Sequence, residues 1–284
     1  MTRRGFLRAA IAAGGMSFFA LATRTTKRRD VFFGAYTGDG NTAYVALESQ
    51  LNYRLAVVHK FVGWGEDPFA VVNALGDRIP LVTLENASTT WAQIASGSQD
   101  SYMRSLVTKS KTYGKPIYFR VGPEMNGNWT KWAVTSANLA DFKAAWSHMA
   151  SILRQAPNIK LVWCPNDSTS SGLVSPSRYY PGGAGVDIIG IDTYTWDGGL
   201  TSFEAGMAKA YSLYSGLDPS KPVWICETGC NQTPRQPQWL IEMVKSTKYP
   251  KLTGIVYFNA VGSEDWRITT SAAATSLKYA LGGR

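Results

Sequence analysis

Two glutamates stand where short apolar runs end. Lys115–Trp132 reads KPIYFRVGPEMNGNWTKW. Its apolar part, Pro116–Val121, is strand-like, Gly122 and Pro123 close it, and Glu124 follows at once. A loop carrying Asn126, Asn128, Trp129 and Trp132 comes next. Lys221–Gly229, KPVWICETG, delivers Glu227 in the same way. Two carboxylates of this kind suit hydrolysis of a glycosidic bond, one serving as acid/base and the other as nucleophile or base. Amides and indoles beside them suit a sugar. Its hydroxyls hydrogen-bond at the edge and its C–H bonds stack on an aromatic face. A surface carboxylate at a loop mouth is the plainer reading of either glutamate alone. The recurrence on two strands favours a site.

The elements that must position these groups follow from spacing. Strand-length apolar runs occur at Val31–Tyr36, Leu55–Val62, Ile79–Leu84, Pro116–Val121, Ile159–Cys164, Val186–Ile191, Pro222–Cys226 and Gly254–Phe258. Helical spacing marks Ser101–Tyr113, Ser136–Gln155, Phe203–Leu217, Gln238–Ser246 and Ser271–Leu281. Eight buried runs alternating with helices predict one α/β domain, a (β/α)₈ TIM barrel. No Gly-rich phosphate loop follows any strand, which weighs against a doubly wound sheet. In a barrel the polar residues at strand ends share one face: Glu85, Glu124, Asn166, Asp167, Asp192, Tyr194, Glu227 and Asn259. Period-two alternation puts Arg120 on the side of Glu124 and points Trp224 and Cys226 toward the helices. A guanidinium below the mouth would favour an ionised carboxylate nearby, with Glu227 the natural beneficiary and the Tyr194 hydroxyl a second donor. Glu124 is then the partner able to carry a proton. An ion pair of Arg120 with Glu85 or Asp192 is the structural alternative. Trp129, Trp132 and Trp266 are expected to stack on sugars. Trp146, His59 and His148 read as structural.

The 284 residues carry 29 Lys and Arg against 20 Asp and Glu, which tempts one toward nucleic acid. Seven of the basic residues, and no acid, lie in residues 1–29, so the remainder is close to neutral and a phosphate-tracking surface is not expected. The segment opens TRRGFLR, continues into the apolar run Ala9–Leu21, and offers Ala20-Leu21-Ala22 as a cleavage site. This resembles a twin-arginine (Tat) export signal over residues 1–22, followed by a basic linker over 23–29 and the catalytic domain over 30–284. A secreted protein, meeting the membrane only during export, is the expectation, and a monomer. Three cysteines form no framework. Cys226 and Cys230 could pair, or all three could stay free. With two histidines and no zinc-type spacing, no metal or cofactor is expected.

FRVGPEMNGNW, LVWCPN, DIIGIDTYTW, KPVWICETG and the closing DWRI together resemble glycoside hydrolase family 26. Weaker echoes occur at Phe33–Tyr36, Leu81–Glu85 and Ala95–Tyr102, so the resemblance covers nearly the whole chain after residue 30. It implies a (β/α)₈ barrel and a retaining double displacement. Glu124 would be the acid/base and Glu227 the nucleophile. Tyr194 would lie beside the nucleophile, and Trp266 would floor the sugar undergoing cleavage. Arg120, Asn126, Trp129 and Trp132 complete the expected substrate-binding set. The implied substrate is a β-linked polysaccharide, with β-1,4-mannan leading and β-1,3-xylan or mixed-linkage β-glucan behind. A catalytically silent carbohydrate-binding protein is the reading from another class. One departure stands out. Family members commonly have His before the acid/base, where this chain has Pro123, which brings no donor and fixes the backbone.

Overall fold

The computed structural model describes residues 31–38, 40, 42–196, 201–231 and 234–282. The expected export signal and basic linker lie outside the described residues. Eight parallel strands close into a barrel in chain order. They are β1 (Phe32–Tyr36), β2 (Val57–Gly63), β3 (Ile79–Glu85), β4 (Ile117–Val121), β5 (Ile159–Trp163), β6 (Ile188–Thr195), β7 (Val223–Cys230) and β8 (Leu252–Phe258). Helices return the chain around them: α1 (Ala43–Leu51), α2 (Phe69–Val72), α3 (Trp91–Ala95), α4 (Asp100–Tyr113), α5 (Leu139–Leu153), α6 (Phe203–Leu217), α7 (Gln236–Lys245) and α8 (Ser271–Leu281). Between β5 and β6 the described chain makes only a 3₁₀ turn, Pro176–Arg178. This is where the sequence turns Ser-, Gly- and Pro-rich.

All eight expected strands are present. Parallel strands buried on both faces must read as continuous apolar runs, which is why they are legible. The five expected helices are present too. On α5, Phe142, Ala145, Trp146 and Met149 are buried in the shell core as the helical spacing requires. The short helices α1 to α3 were not anticipated. Helix α3, five residues long, is set by a capping box in which the Thr90 side chain accepts from the Gln93 N–H and Gln93 reaches back.

The lumen differs from the shell. Val57, Leu81, Val162, Cys164, Ile188, Trp224, Cys226 and Val256 form a separate apolar cluster inside the barrel, with Tyr118 packed against it. Trp224 and Tyr118 stack with ring centroids 4.7 Å apart. The indole needs the missing side chain of Gly254, where an added Cβ would lie 2.5 Å from Trp224 Cδ2. This apolar plug closes the floor of the barrel below the polar groups at the mouth.

Trp224 and Cys226 thus point into the lumen, not toward the helices as alternation predicted. Ile191 pairs with Ile225, but the next residue, Asp192, pairs with Glu227. The β7–β8 pairing shows the same slip, from Ile225–Ile255 to Thr228–Tyr257. Strand β7 therefore carries one extra residue at Cys226, a β-bulge, and Cys226 and Glu227 both face inward. Strands β6 and β7 also run on past their apolar runs, so Asp192, Tyr194 and Glu227 sit within paired backbone. Among the described residues no helix is long and apolar enough to cross a membrane.

Candidate active site

Glu227 faces the mouth from β7, and its side chain is fixed from two directions. Arg120 Nη2 donates to Glu227 Oε1, and the Tyr194 hydroxyl donates to Oε2 at 2.8 Å. Arg120 is fully buried. Its Nη1 spans both oxygens of Asp192 at 2.8 and 2.9 Å, and its Nε donates to Thr83 Oγ1 at 2.7 Å. Burial works against the guanidinium charge, but Asp192 and Glu227 beside it outweigh that and hold its pKa well above the ordinary value. The Cys164 thiol donates to Asp192 Oδ1 at 3.2 Å. Both readings of Arg120 are therefore realised at once. It pairs with Asp192 and presents its other arm to Glu227.

The string continues to β2. Thr83 Oγ1 lies 2.7 Å from His59 Nε2. Thr83 Oγ1 thus joins Arg120 to His59, the direction of the second bond being set by the imidazole tautomer. Burial first, then Arg120 and Lys60, push the His59 pKa well below the usual histidine range. His59 is structural, as expected. His148 joins α5 to α4 through Asp100 at 2.6 Å.

Glu124 is held differently. It lies beyond β4 with φ 51°, one of two non-glycine residues at positive φ among those described. The other, Asn52, is an ordinary left-handed cap on α1. A left-handed glutamate is strained and has to be enforced by its surroundings. Trp132 Nε1 donates to the Pro123 carbonyl at 2.6 Å, and the Glu124 N–H donates to Cys164 O at 2.9 Å. The carboxyl accepts from two neutral donors, Asn166 Nδ2 to Oε1 at 2.6 Å and Trp129 Nε1 to Oε2 at 2.7 Å. Desolvation, and next the charge of Glu227, raise the Glu124 pKa above the usual carboxylate value. Asn166 and Trp129 offset part of that rise.

Six expected site residues gather at this mouth: Glu124, Glu227, Arg120, Tyr194, Trp129 and Trp266. The expectation of direct sugar contact is corrected for three residues. Arg120 is fully buried under Glu227 and reaches the chemistry only through it. Asn126 is also buried; its Nδ2 donates to the carbonyls of Asn166 and Ser168 at 2.9 and 2.7 Å, and its Oδ1 accepts from the Asn166 N–H at 2.8 Å. It staples the loop after β4 to the chain after β5 and so aims Asn166 at Glu124. Trp132 is wedged against Gly122, with its backbone carbonyl taken by Trp91 Nε1 at 2.9 Å. It braces the Glu124 turn.

Trp266 does lie at the mouth, but it is only 2% exposed. Tyr194 flanks it with centroids 4.6 Å apart, and Trp196 meets it edge-on at 5.1 Å. The open indoles are Trp129, 56% exposed, and Trp196, 49% exposed. Sequence reasoning gave no role to Trp196, although it ends the DIIGIDTYTW stretch. Asn166 was placed at a strand end without an assignment, Asp192 was named only as one of two ion partners open to Arg120, and Thr83 carried no signal at all. The three cysteines are free and buried. Cys226 faces Cys164 across Gly190, whose absent Cβ leaves room for both sulfurs. Among the described residues no group of three or more His, Cys, Asp or Glu could hold a metal ion.

Comparison with known proteins agrees with this geometry. Residues 86–210 match the family model described as Glycosyl hydrolase family 26. Endoglucanase H of Acetivibrio thermocellus is 28% identical over 293 residues, covering 95% of this chain and 32% of that protein. Mannan endo-1,4-beta-mannosidase of Bacillus subtilis is 27% identical over 175 residues, covering 58% of this chain and 44% of that protein. The chain thus spans less than half the length of these two curated relatives. Among solved structures, a Bacillus subtilis mannanase superposes with a TM-score of 0.64 at 20% identity, covering 87% of this chain and 84% of the other. A Cellulomonas fimi endo-beta-1,4-mannanase double mutant gives 0.65 at 16% identity, covering 89% and 70%. Part of the chain thus matches the model of glycosyl hydrolase family 26, and the solved mannanases share its (β/α)₈ barrel.

Proposed function

We propose that the protein is an exported retaining endo-β-glycanase with Glu227 as nucleophile and Glu124 as acid/base. The observation that carries this is the inequality of the two carboxyls. Glu227 accepts from a cation and a phenol, which hold its two oxygens in place for attack on the anomeric carbon. Glu124 has only neutral donors and a raised pKa, so it retains a proton for the leaving oxygen. In the first step Glu227 bonds to the anomeric carbon as the glycosidic C–O bond breaks and Glu124 protonates the departing oxygen. In the second, Glu124 takes a proton from water, which displaces Glu227 and regenerates both groups. Trp129, beside Glu124, is positioned for the leaving-group sugar. Trp196 and Trp266 flank the Glu227 side.

β-1,4-Mannan is the leading substrate, because the mannosidase of Bacillus subtilis and the solved neighbours bear that activity in their names. Mixed-linkage β-glucan is the second reading. Endoglucanase H matches the chain over 95% of its length, and Pro123 stands where the family's histidine is expected. Purified protein incubated with mannan, glucomannan, lichenan and β-1,3-xylan decides between them. Release of β-configured oligosaccharides, followed by NMR at early times, is the expected result. Binding without release of reducing ends from any of the four would favour a silent carbohydrate-binding protein. Export rests on Arg3 and Arg4. Lysine at both positions should retain the full-length chain inside the cell, and export unaffected by that change would remove the twin-arginine reading.

A further inference from the structure

Trp129 does two things with one ring. It lies flat on the Gly127 backbone, where a Cβ would come within 2.4 Å of Trp129 Cε2 and Cζ2. It is the most exposed tryptophan of the described chain, yet its Nε1–H is spent on Glu124 Oε2 at 2.7 Å. A platform that only stacked would not need that bond. A purely structural indole would not leave more than half its surface open. The second oxygen of Glu124 is taken by Asn166, so Trp129 and Asn166 together fix the plane of the carboxyl.

We propose that Trp129 is a positioning residue for the acid/base: it orients and tunes the Glu124 carboxyl through its indole N–H while presenting its face to the leaving-group sugar. Loading of that sugar and proton delivery are thereby joined in one side chain. This rests on the reading of Glu124 as acid/base. An N–H donated to a carboxylate favours the charged form, so Trp129 holds the Glu124 pKa below where burial and Glu227 would otherwise carry it. The other groups that act on Glu124 are Arg120 on β4, Asp192 and Tyr194 on β6, and Asn166 after β5. None of them is itself substituted in the variants at residues 129 and 127.

The experiment uses whichever of the four polysaccharides the wild type cleaves. Trp129→Phe keeps an aromatic face and removes the N–H. The alkaline limb of the pH–kcat profile should move to higher pH, with kcat down about tenfold at the optimum, as for loss of one hydrogen bond to a catalytic group. KM should change less than kcat. An aryl glycoside with a good leaving group, which needs little protonation, should lose much less. Gly127→Ala tests the same link with Trp129 intact, since the added methyl must lift the ring. It should reproduce the limb shift. A rise in KM with an unmoved alkaline limb in both variants would overturn the proposal and leave Trp129 as a stacking surface alone. A wild type inactive on every substrate would instead sink the function reading on which the proposal stands.

Discussion

The two carboxyls proposed to do the chemistry are held by opposite strategies. Glu227 belongs to paired strand just past the bulge of β7, and its side chain is seized by charge. Arg120 ties it to Asp192, and Tyr194 takes the other oxygen. Glu124 belongs to a strained turn outside the sheet, and its side chain is held only by an amide and an indole. Under the proposed roles, the neutral ligands and raised pKa of Glu124 suit an acid, while the cation and phenol on Glu227 fix the orientation of a nucleophile.

The contrast can be broken most completely at Glu227. Glu227→Ala should cost about 10⁴-fold or more in kcat, as expected for removal of a nucleophile. Near wild-type turnover of polysaccharide would end the assignment. Glu124→Gln keeps the shape and loses the transferable proton. It should cost about 10²- to 10⁴-fold on polysaccharide, the range of general acid catalysis. The sign of the pH effect follows from the raised pKa of Glu124. The protonated form is the active one, so wild-type activity falls as pH rises through that pKa, and the alkaline limb should vanish in the glutamine variant.

Arg120→Met sharpens the comparison, because it removes a direct ligand from Glu227 and none from Glu124. Asp192 and Glu227 would be left buried without their cation, at a cost of about 3–5 kcal/mol in stability and about 10²-fold in kcat. Chemical denaturation and steady-state kinetics read the two. An unchanged midpoint would mean that the buried network is dispensable. Tyr194→Phe is the mildest change, since Arg120 remains. A loss of about tenfold in kcat is expected, and no loss would mean that the phenol only fills space.

The fold was legible because barrel strands must be apolar on both faces. Val57–Gly63 and Ile79–Glu85 could hardly be read otherwise. The meeting of Glu124 and Glu227 was legible because a glutamate recurs at the end of two such runs, and strand ends of a barrel share one face. What could not be read were relations between strands. Asn126 looks like a sugar ligand by composition. Only its hydrogen bonds to Asn166 and Ser168 across the β4–β5 boundary reveal a staple. Trp132 and Trp129 are three residues apart and alike in type, and one is buried against Gly122 while the other is open. Alternation failed on β7 because the bulge at Cys226 carries no glycine or proline to announce it. The inward turn of Trp224 was hidden for the same reason.

That additional residue on β7 has a consequence of its own. The orientation of Glu227 is written in the count of residues along the strand, and nothing about Cys226 as a thiol is needed for it. A chain one residue shorter at that point would keep both glutamates, yet turn Glu227 toward the surrounding helices. A single three-nucleotide deletion could thus dismantle this mouth and leave the barrel closed.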